Sequence, residues 1–213
     1  MWEKLIKFLK YNYKWLICFG CLIIFLLIAE DVFTKEIMRC DTLGYQIISK
    51  YLIYDAITPI AKVITWFGSA WCLIGVVLGL LILIKNMRMK VFIGLNLVLI
   101  TFLNQTLKFI VERPRPDGFR LIDESGYSFP SGHSMISMAF YGFLIYLVYN
   151  NVKNRYVKIS LIVLLSLLIL LIGVSRIYLG VHYTSDVLGG FLVSISYLIL
   201  FISTVNKFFI EKD

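Results

Sequence analysis

Six apolar runs, each close to the length at which a helix crosses a bilayer, take up most of this chain: about Trp15–Ala29, Pro59–Ile84, Val91–Val111, Ser134–Tyr149, Val157–Val174 and Val187–Val205. Roughly 20 apolar residues span the hydrocarbon core as helix. Hydrophobic residues make up 60% of the sequence and charged ones 16%, with a mean hydropathy of +0.85, against about 25% charged in soluble domains. The expectation is an all-α bundle of six transmembrane helices. With no tandem repeat, low-complexity tract or linker, residues 1–213 read as one domain. The basic, apolar start resembles a signal peptide, but no small-x-small pattern follows Leu27-Ile28-Ala29-Glu30, so an uncleaved first helix is expected.

Lysine and arginine in short loops set orientation. Lys4, Lys7, Lys10 and Lys14 precede the first span, Lys85, Arg88 and Lys90 fill the second loop, Lys153, Arg155 and Lys158 the fourth, and Lys207 and Lys212 the tail. Counting spans puts all of these on one side, the cytoplasmic one. In the first loop Lys35, Arg39 and Lys50 are accompanied by Glu30, Asp31, Glu36, Asp41 and Asp55, and the fifth loop has no basic residue. Both termini are therefore expected in the cytoplasm. The net charge of +8 follows from this asymmetry and from the site cations, so it gives no reason to expect nucleic-acid binding.

Cys18 and Cys21 lie within the first span and Cys40 and Cys72 are isolated, a pattern of packing thiols rather than a disulfide framework or metal site. In the first loop Leu43, Ile47, Ile48, Tyr51 and Leu52 recur at helical spacing, with Asp41 and Thr42 as possible caps. Such a helix either lies flat on the outer surface or packs across the bundle mouth. Gly68 is expected to mark a bend in the second span.

Three polar blocks interrupt the apolar pattern: Lys108 with Arg115-Pro116, Pro130-Ser131-Gly132-His133, and Ser175-Arg176 followed by His182 and Asp186. Span parity brings all three to the outer face. Thr101, Asn104, Gln105 and Lys108 form a stripe along one helix face, and an ionisable group within a span implies a partner, here a bound phosphate. Arg113-Pro114-Arg115-Pro116 stops that helix. Pro130-Ser131-Gly132 before an apolar run reads as a helix start, a natural phosphate seat, with the Ser131 hydroxyl available to donate and Gly132 allowing close approach. Arg176 suits a bidentate oxyanion contact. The four-residue spacing of His182 and Asp186 lets the carboxylate take one imidazole N–H and leave the other nitrogen free to attack. Two histidines and an aspartate also suit a metal, but Lys108, Arg115 and Arg176 would repel a divalent ion and attract a phosphate.

Lys108-x6-Arg115-Pro116, Pro130-Ser131-Gly132-His133 and Ser175-Arg176-x5-His182-x3-Asp186 resemble the three-part signature of the type 2 phosphatidic acid phosphatase superfamily, in its small bacterial membrane branch. The resemblance implies a hydrolase with no metal or other cofactor. His182 would be the nucleophile, Asp186 its orienting partner and His133 the acid for the leaving oxygen. Lys108, Arg115, Ser131, Gly132 and Arg176 would hold the phosphoryl oxygens. Arg113 and Arg120 fall outside the signature and would touch a second phosphate or be solvated.

The branch acts on lipid phosphates and pyrophosphates. Undecaprenyl pyrophosphate ranks first, since recycling that carrier needs an outward-facing phosphatase; phosphatidylglycerophosphate is the alternative, with phosphatidic acid and diacylglycerol pyrophosphate behind it. Phe119, Leu121, Ile122 and Phe129 are expected to border the lipid entry. The expected partners are the lipid substrate and membrane lipids, with no obligate protein partner, in a bacterial cytoplasmic membrane. A small transporter or scaffold would instead show inverted repeats or mid-membrane polar groups, whereas here the polar residues gather toward one face.

Overall fold

The computed structural model describes residues 2–34, 37–51, 54–117 and 120–210. Leu52 and Phe119, along with Lys35, Glu36 and Lys212, lie outside the described residues. Among those described there are eight α-helices and no strand: α1 (Trp2–Phe33), α2 (Arg39–Tyr51), α3 (Thr58–Trp66), α4 (Ala70–Leu83), α5 (Met87–Val111), α6 (Gly132–Asn151), α7 (Arg155–Tyr178) and α8 (Thr184–Ile210). Five helices are long and apolar enough to cross a membrane: α5, α6, α7 and the Tyr11–Phe33 and Thr184–Phe208 parts of α1 and α8. α3 and α4 pass the same test only when taken together, and they meet at a bend of 48°, the geometry of a broken span or of a re-entrant pair. Apolar side chains such as Phe19, Ile82, Phe102 and Leu164 stay exposed on these helices, as expected of helices that are hydrophobic all round and meet lipid.

The second span departs from the single run in the sequence. Gly68 sits at its break, where an added Cβ would come 2.8 Å from Ile172 Cγ2 and 3.1 Å from His133 Cδ2. Only a hydrogen lets the backbone pass this close to α6 and α7. The polar groups freed by the break find partners: the Tyr141 hydroxyl donates to the Phe67 carbonyl over 2.7 Å, and Ser69 Oγ accepts the Cys72 amide at the start of α4. Left without partners and away from water, such groups would cost several kcal/mol each.

α6 is central, packed on α5, α7 and α8, while α1 lies along α8. Ile93, Phe140, Phe143 and Ile172 are wholly buried in the core. Cys18 is buried at the α1–α8 seam, its Sγ 3.7 Å from the Ser196 carbonyl. Asn86 and Asn154 cap α5 and α7 with their side-chain oxygens in the basic turns, so chain connectivity puts Lys85, Arg88, Lys153 and Arg155 at one end of the bundle. The opposite end gathers the C-termini of α5 and α7 and the N-termini of α6 and α8.

α2 crosses that opposite end, against α7 and α8, the second of the two arrangements its spacing allows. Gly44 permits the contact, since a Cβ there would stand 2.0 Å from Thr184 Oγ1. Ile48 is buried on this face, while Leu43, Ile47 and Tyr51 remain exposed. Asp41 lies inside the first turn of the helix, and its carboxylate, although it also accepts the Met38 amide, is directed mainly into the bundle.

Candidate active site

The polar stripe of α5 becomes one wall of a cavity of about 830 Å³, which Thr101, Asn104, Gln105 and Lys108 all line. Lys108 Nζ donates to the Tyr127 carbonyl at 2.7 Å. α5 ends one turn later at Glu112, whose left-handed backbone (φ 49°) closes the helix, and the two prolines keep residues 113–116 out of helical conformation. Arg115 then turns back into the cavity. Its guanidinium is held by the carbonyls of Ser125, Gly126 and Val181, which fixes its position without neutralising its charge.

α6 begins where the sequence places it. Asn104 Nδ2 donates to the Pro130 carbonyl at 3.2 Å, and a Cβ on Gly132 would approach Asn104 Oδ1 at 3.1 Å, so the helix start is pressed against α5. The first-turn amides of Gly132 and His133 have no intrahelical carbonyl to bond. The Ser131 amide donates to the Asp186 carbonyl, and its buried hydroxyl lies 3.0 Å from that of Ser134 and caps the helix. His133 lines the cavity beside Gly68.

From the end of α7, Arg176 is 1% exposed and donates from Nη1 to Thr65 Oγ1 of α3 and from Nη2 to Glu124 Oε1 at 2.6 Å. Its buried Nε has no acceptor among the described residues, leaving one donor open beside the cavity. Glu124 also stands 3.9 Å from Arg115. Burial would raise its pKa, but the Arg176 and Arg115 charges outweigh that and hold the carboxyl below the usual range. Glu124 thus pairs with two of the three cations that line the cavity.

The chain turns at Gly180 (φ 71°) to reach His182. Asp186, in the first turn of α8, takes the His182 Nδ1–H at 3.3 Å on Oδ2, and the same oxygen accepts from the Tyr183 amide and the Ser128 hydroxyl. On the other side of the ring, Nε2 lies 3.1 Å from Arg115 Nη1. Arginine only donates, so Nε2 carries the lone pair. Burial pushes the imidazole down to about 4; the Asp186 hydrogen bond opposes the shift in part, and the Arg176 and Arg115 charges add to it. A neutral ring at neutral pH, with Nε2 unprotonated, is the state a nucleophile requires.

The structure thus brings Lys108, Arg115, Gly132, His133, Arg176 and His182 to one cavity, with Asp186 directly behind His182. Phe129 is not at its mouth: it is fully buried and stacks on Phe25, ring centroids 5.7 Å apart. Leu121 and Ile122 pack with Ile177 and Val181 instead. The apolar wall comes from α4, α5 and α6, with Ile74, Val98, Phe102 and Phe109 lining the cavity while remaining exposed toward the lipid side. Arg113 is neither solvated nor in the cavity, but buried and paired with Asp41 and Asp186. Arg120 bonds the Pro116 carbonyl and Asp117 outside the site.

Comparison with known proteins gives consistent results. Phosphatidylglycerophosphatase B of Bacillus subtilis (strain 168) is 41% identical over 102 residues, which are 47% of this chain and 49% of that protein. Sphingosine-1-phosphate phosphatase 1 of Rattus norvegicus is 35% identical over 124 residues, 54% of this chain and 28% of the relative. The chain therefore spans about half the length, or less, of these curated relatives. Among solved structures, a transmembrane PAP2 type phosphatidylglycerolphosphate phosphatase from Bacillus subtilis superposes with a TM-score of 0.77 at 27% identity, covering 89% of this chain and 96% of that one. Aquifex aeolicus LpxE gives 0.61 at 25% identity, covering 75% and 92%. The PAP2 superfamily model matches residues 89–210. That segment holds every cavity cation, both histidines and Asp186, and the chain belongs to the PAP2 superfamily.

Proposed function

We propose that this chain is a membrane lipid phosphatase that hydrolyses a phosphate monoester through a phosphohistidine on His182, with phosphatidylglycerophosphate as the leading substrate. The observation that carries the reading is the His182 ring, tied at Nδ1 to Asp186 and presenting its Nε2 lone pair toward the cations. Lys108, Arg115 and Arg176, with the first-turn amides of α6 at Gly132, hold the phosphoryl oxygens, and Ser131 sets that helix start through its cap. Nε2 attacks phosphorus, the ester P–O bond breaks, and His133 gives a proton to the departing alkoxide. Water then attacks the phosphohistidine with His133 taking its proton, the P–N bond breaks, and inorganic phosphate leaves with His182 restored.

The curated relatives change the ranking of substrates. Both are named for a lipid phosphate monoester, which favours phosphatidylglycerophosphate over the undecaprenyl pyrophosphate ranked first from sequence. The apolar wall along α4 and α5 supports a lipid whose chains stay in the bilayer. We also read residues 1–213 as one domain with both termini in the cytoplasm and the cavity outside. The support is that the basic turns at Lys85–Lys90 and Lys153–Lys158 lie at the far end of the bundle from the cavity.

The test is phosphate release by the purified protein in detergent across a panel of phosphatidylglycerophosphate, phosphatidic acid, diacylglycerol pyrophosphate and undecaprenyl pyrophosphate. Highest kcat/KM on phosphatidylglycerophosphate is expected. Preference for the pyrophosphates would restore the other ranking, and turnover of none would remove the reading.

A further inference from the structure

Asp41 comes from α2, outside the segment that the PAP2 model matches, yet it is 3% exposed and faces the heart of the site. Its Oδ1 accepts the Ser185 amide of α8 at 2.8 Å, and its Oδ2 accepts Arg113 Nη2 at 2.9 Å. The other arm of the guanidinium, Nη1, donates to Asp186 Oδ1 at 2.6 Å and Ser185 Oγ at 2.7 Å. The Tyr183 ring lies 4.1 Å from the guanidinium carbon. Asp41, Arg113, Asp186 and His182 therefore form a continuous hydrogen-bonded run.

Asp186 divides its oxygens, Oδ1 to Arg113 and Oδ2 to His182. This division is not what an arginine and a carboxylate adopt when left alone, because their favoured pairing is a two-bond fork that occupies both oxygens. A fork on Asp186 would draw Oδ2 away from the imidazole. By binding Nη2, Asp41 leaves the guanidinium one arm for Asp186.

We propose that Asp41 and Arg113 are positioning residues for His182: Asp41 restrains Arg113 so that Arg113 holds Asp186 by one oxygen and leaves the other directed at the histidine. The proposal rests on His182 as nucleophile and Asp186 as its partner. It makes α2 part of the working site rather than a cover over the bundle end.

The experiment measures kcat and KM for release of inorganic phosphate from phosphatidylglycerophosphate by the full chain in detergent, with rapid-quench labelling of phosphohistidine. Asp41→Asn is expected to lower kcat and the labelling rate by about 10- to 100-fold, by analogy with the loss on removing hydrogen-bond partners of metal-ligating histidines, with KM changed less than about threefold. Asp41→Glu should recover part of the loss. Arg113→Lys keeps the charge but gathers it on one nitrogen, losing the two separate arms that reach Asp41 and Asp186, and should show the same kcat-specific defect.

The deciding measurement is the double-mutant cycle. If Asp41 acts through Asp186, adding Asp41→Asn to Asp186→Asn should change the labelling rate by less than about twofold. Independent losses that multiply, a defect confined to KM, or unaltered kcat in both Asp41→Asn and Arg113→Lys would overturn the proposal. Variants that do not assemble at all would mark the pair as a structural pin, also against it. Absence of phosphohistidine in the unsubstituted protein would instead overturn the proposed function itself.

Discussion

Arg115 Nη1 stands 3.1 Å from His182 Nε2, so the lone pair proposed to attack phosphorus points at a fixed cation. A phosphoryl group entering between them would exchange this contact for a bond to phosphorus on one side and an oxyanion contact on the other. If His182 is the nucleophile as proposed, its lone pair is held in the direction of attack by fixed groups, an arrangement that needs little reorganisation.

The first prediction concerns protonation. An ordinary histidine, near 6.5, is mostly charged at pH 5.5. His182, lowered to about 4 mainly by burial, should stay neutral down to about pH 5 and gain its proton only as the pH falls through about 4. In a His133→Gln variant, which retains a single histidine, the imidazole NMR signal should show no titration between pH 8 and pH 5. A midpoint near 6.5 would contradict the buried, neutral assignment.

The second separates the two histidines. His182→Ala should abolish phosphoenzyme formation with every substrate. His133→Ala should reduce turnover of a lipid monophosphate by about 10²–10⁴-fold, the usual range for a general acid. A nitrophenyl phosphate, whose leaving group needs little protonation, should be spared in the first half-reaction and should leave labelled His182 behind. Acid-labile label on His133 in His182→Ala would reverse the roles.

The third follows from the broken span. Gly68→Ala places a Cβ 2.8 Å from Ile172 Cγ2 and 3.1 Å from the His133 ring. Overpacking of this kind typically costs about 1–3 kcal/mol. Thermal unfolding in detergent should show the loss, and because His133 must shift, kcat should fall more than KM rises. Unchanged stability and rate would mean that the break accommodates a side chain freely.

The fourth is topological. In a background with Cys18, Cys21, Cys40 and Cys72 replaced by serine, a cysteine at the exposed Ser125 should react with an impermeant thiol reagent in intact cells, whereas one at the exposed Asn151 should not. The reverse pattern would put the cavity in the cytoplasm.

Sequence made the site cations, both histidines and Asp186 legible for one reason: in a chain this apolar, a charged residue stands out, and span parity alone brings the blocks to one end. The bend at Gly68 could be read because a glycine interrupts an apolar run. Asp41 and Arg113 could not be paired, since nothing local links an acid in a mixed-charge loop to an arginine 72 residues on. A hint existed in the surplus, because Arg113 is a fourth cation beyond the three assigned to the proposed phosphate seat, and a buried surplus cation needs a carboxylate. Glu124 was missed in the same way, its pairing being visible only once α7 delivers Arg176. Phe129 was misplaced because a phenylalanine beside a polar block reads equally well as rim or core, and stacking on Phe25 from the far end of the chain decides it.

Val98, Phe102 and Phe109 look out from α5 toward lipid while sharing a cavity with Lys108. Such an opening in the side of the bundle would let the proposed lipid substrate drift in within the plane of the membrane, its tails never extracted. Extraction would cost roughly 0.8 kcal/mol for every methylene brought into water, a penalty that grows with tail length and would make short-chained lipids the better substrates. With that penalty absent, acyl length and unsaturation should matter little, and discrimination passes to the headgroup. The quantity that sets the rate is then the mole fraction of the lipid in the bilayer, so diluting the substrate with inert lipid should slow the enzyme even at constant bulk concentration.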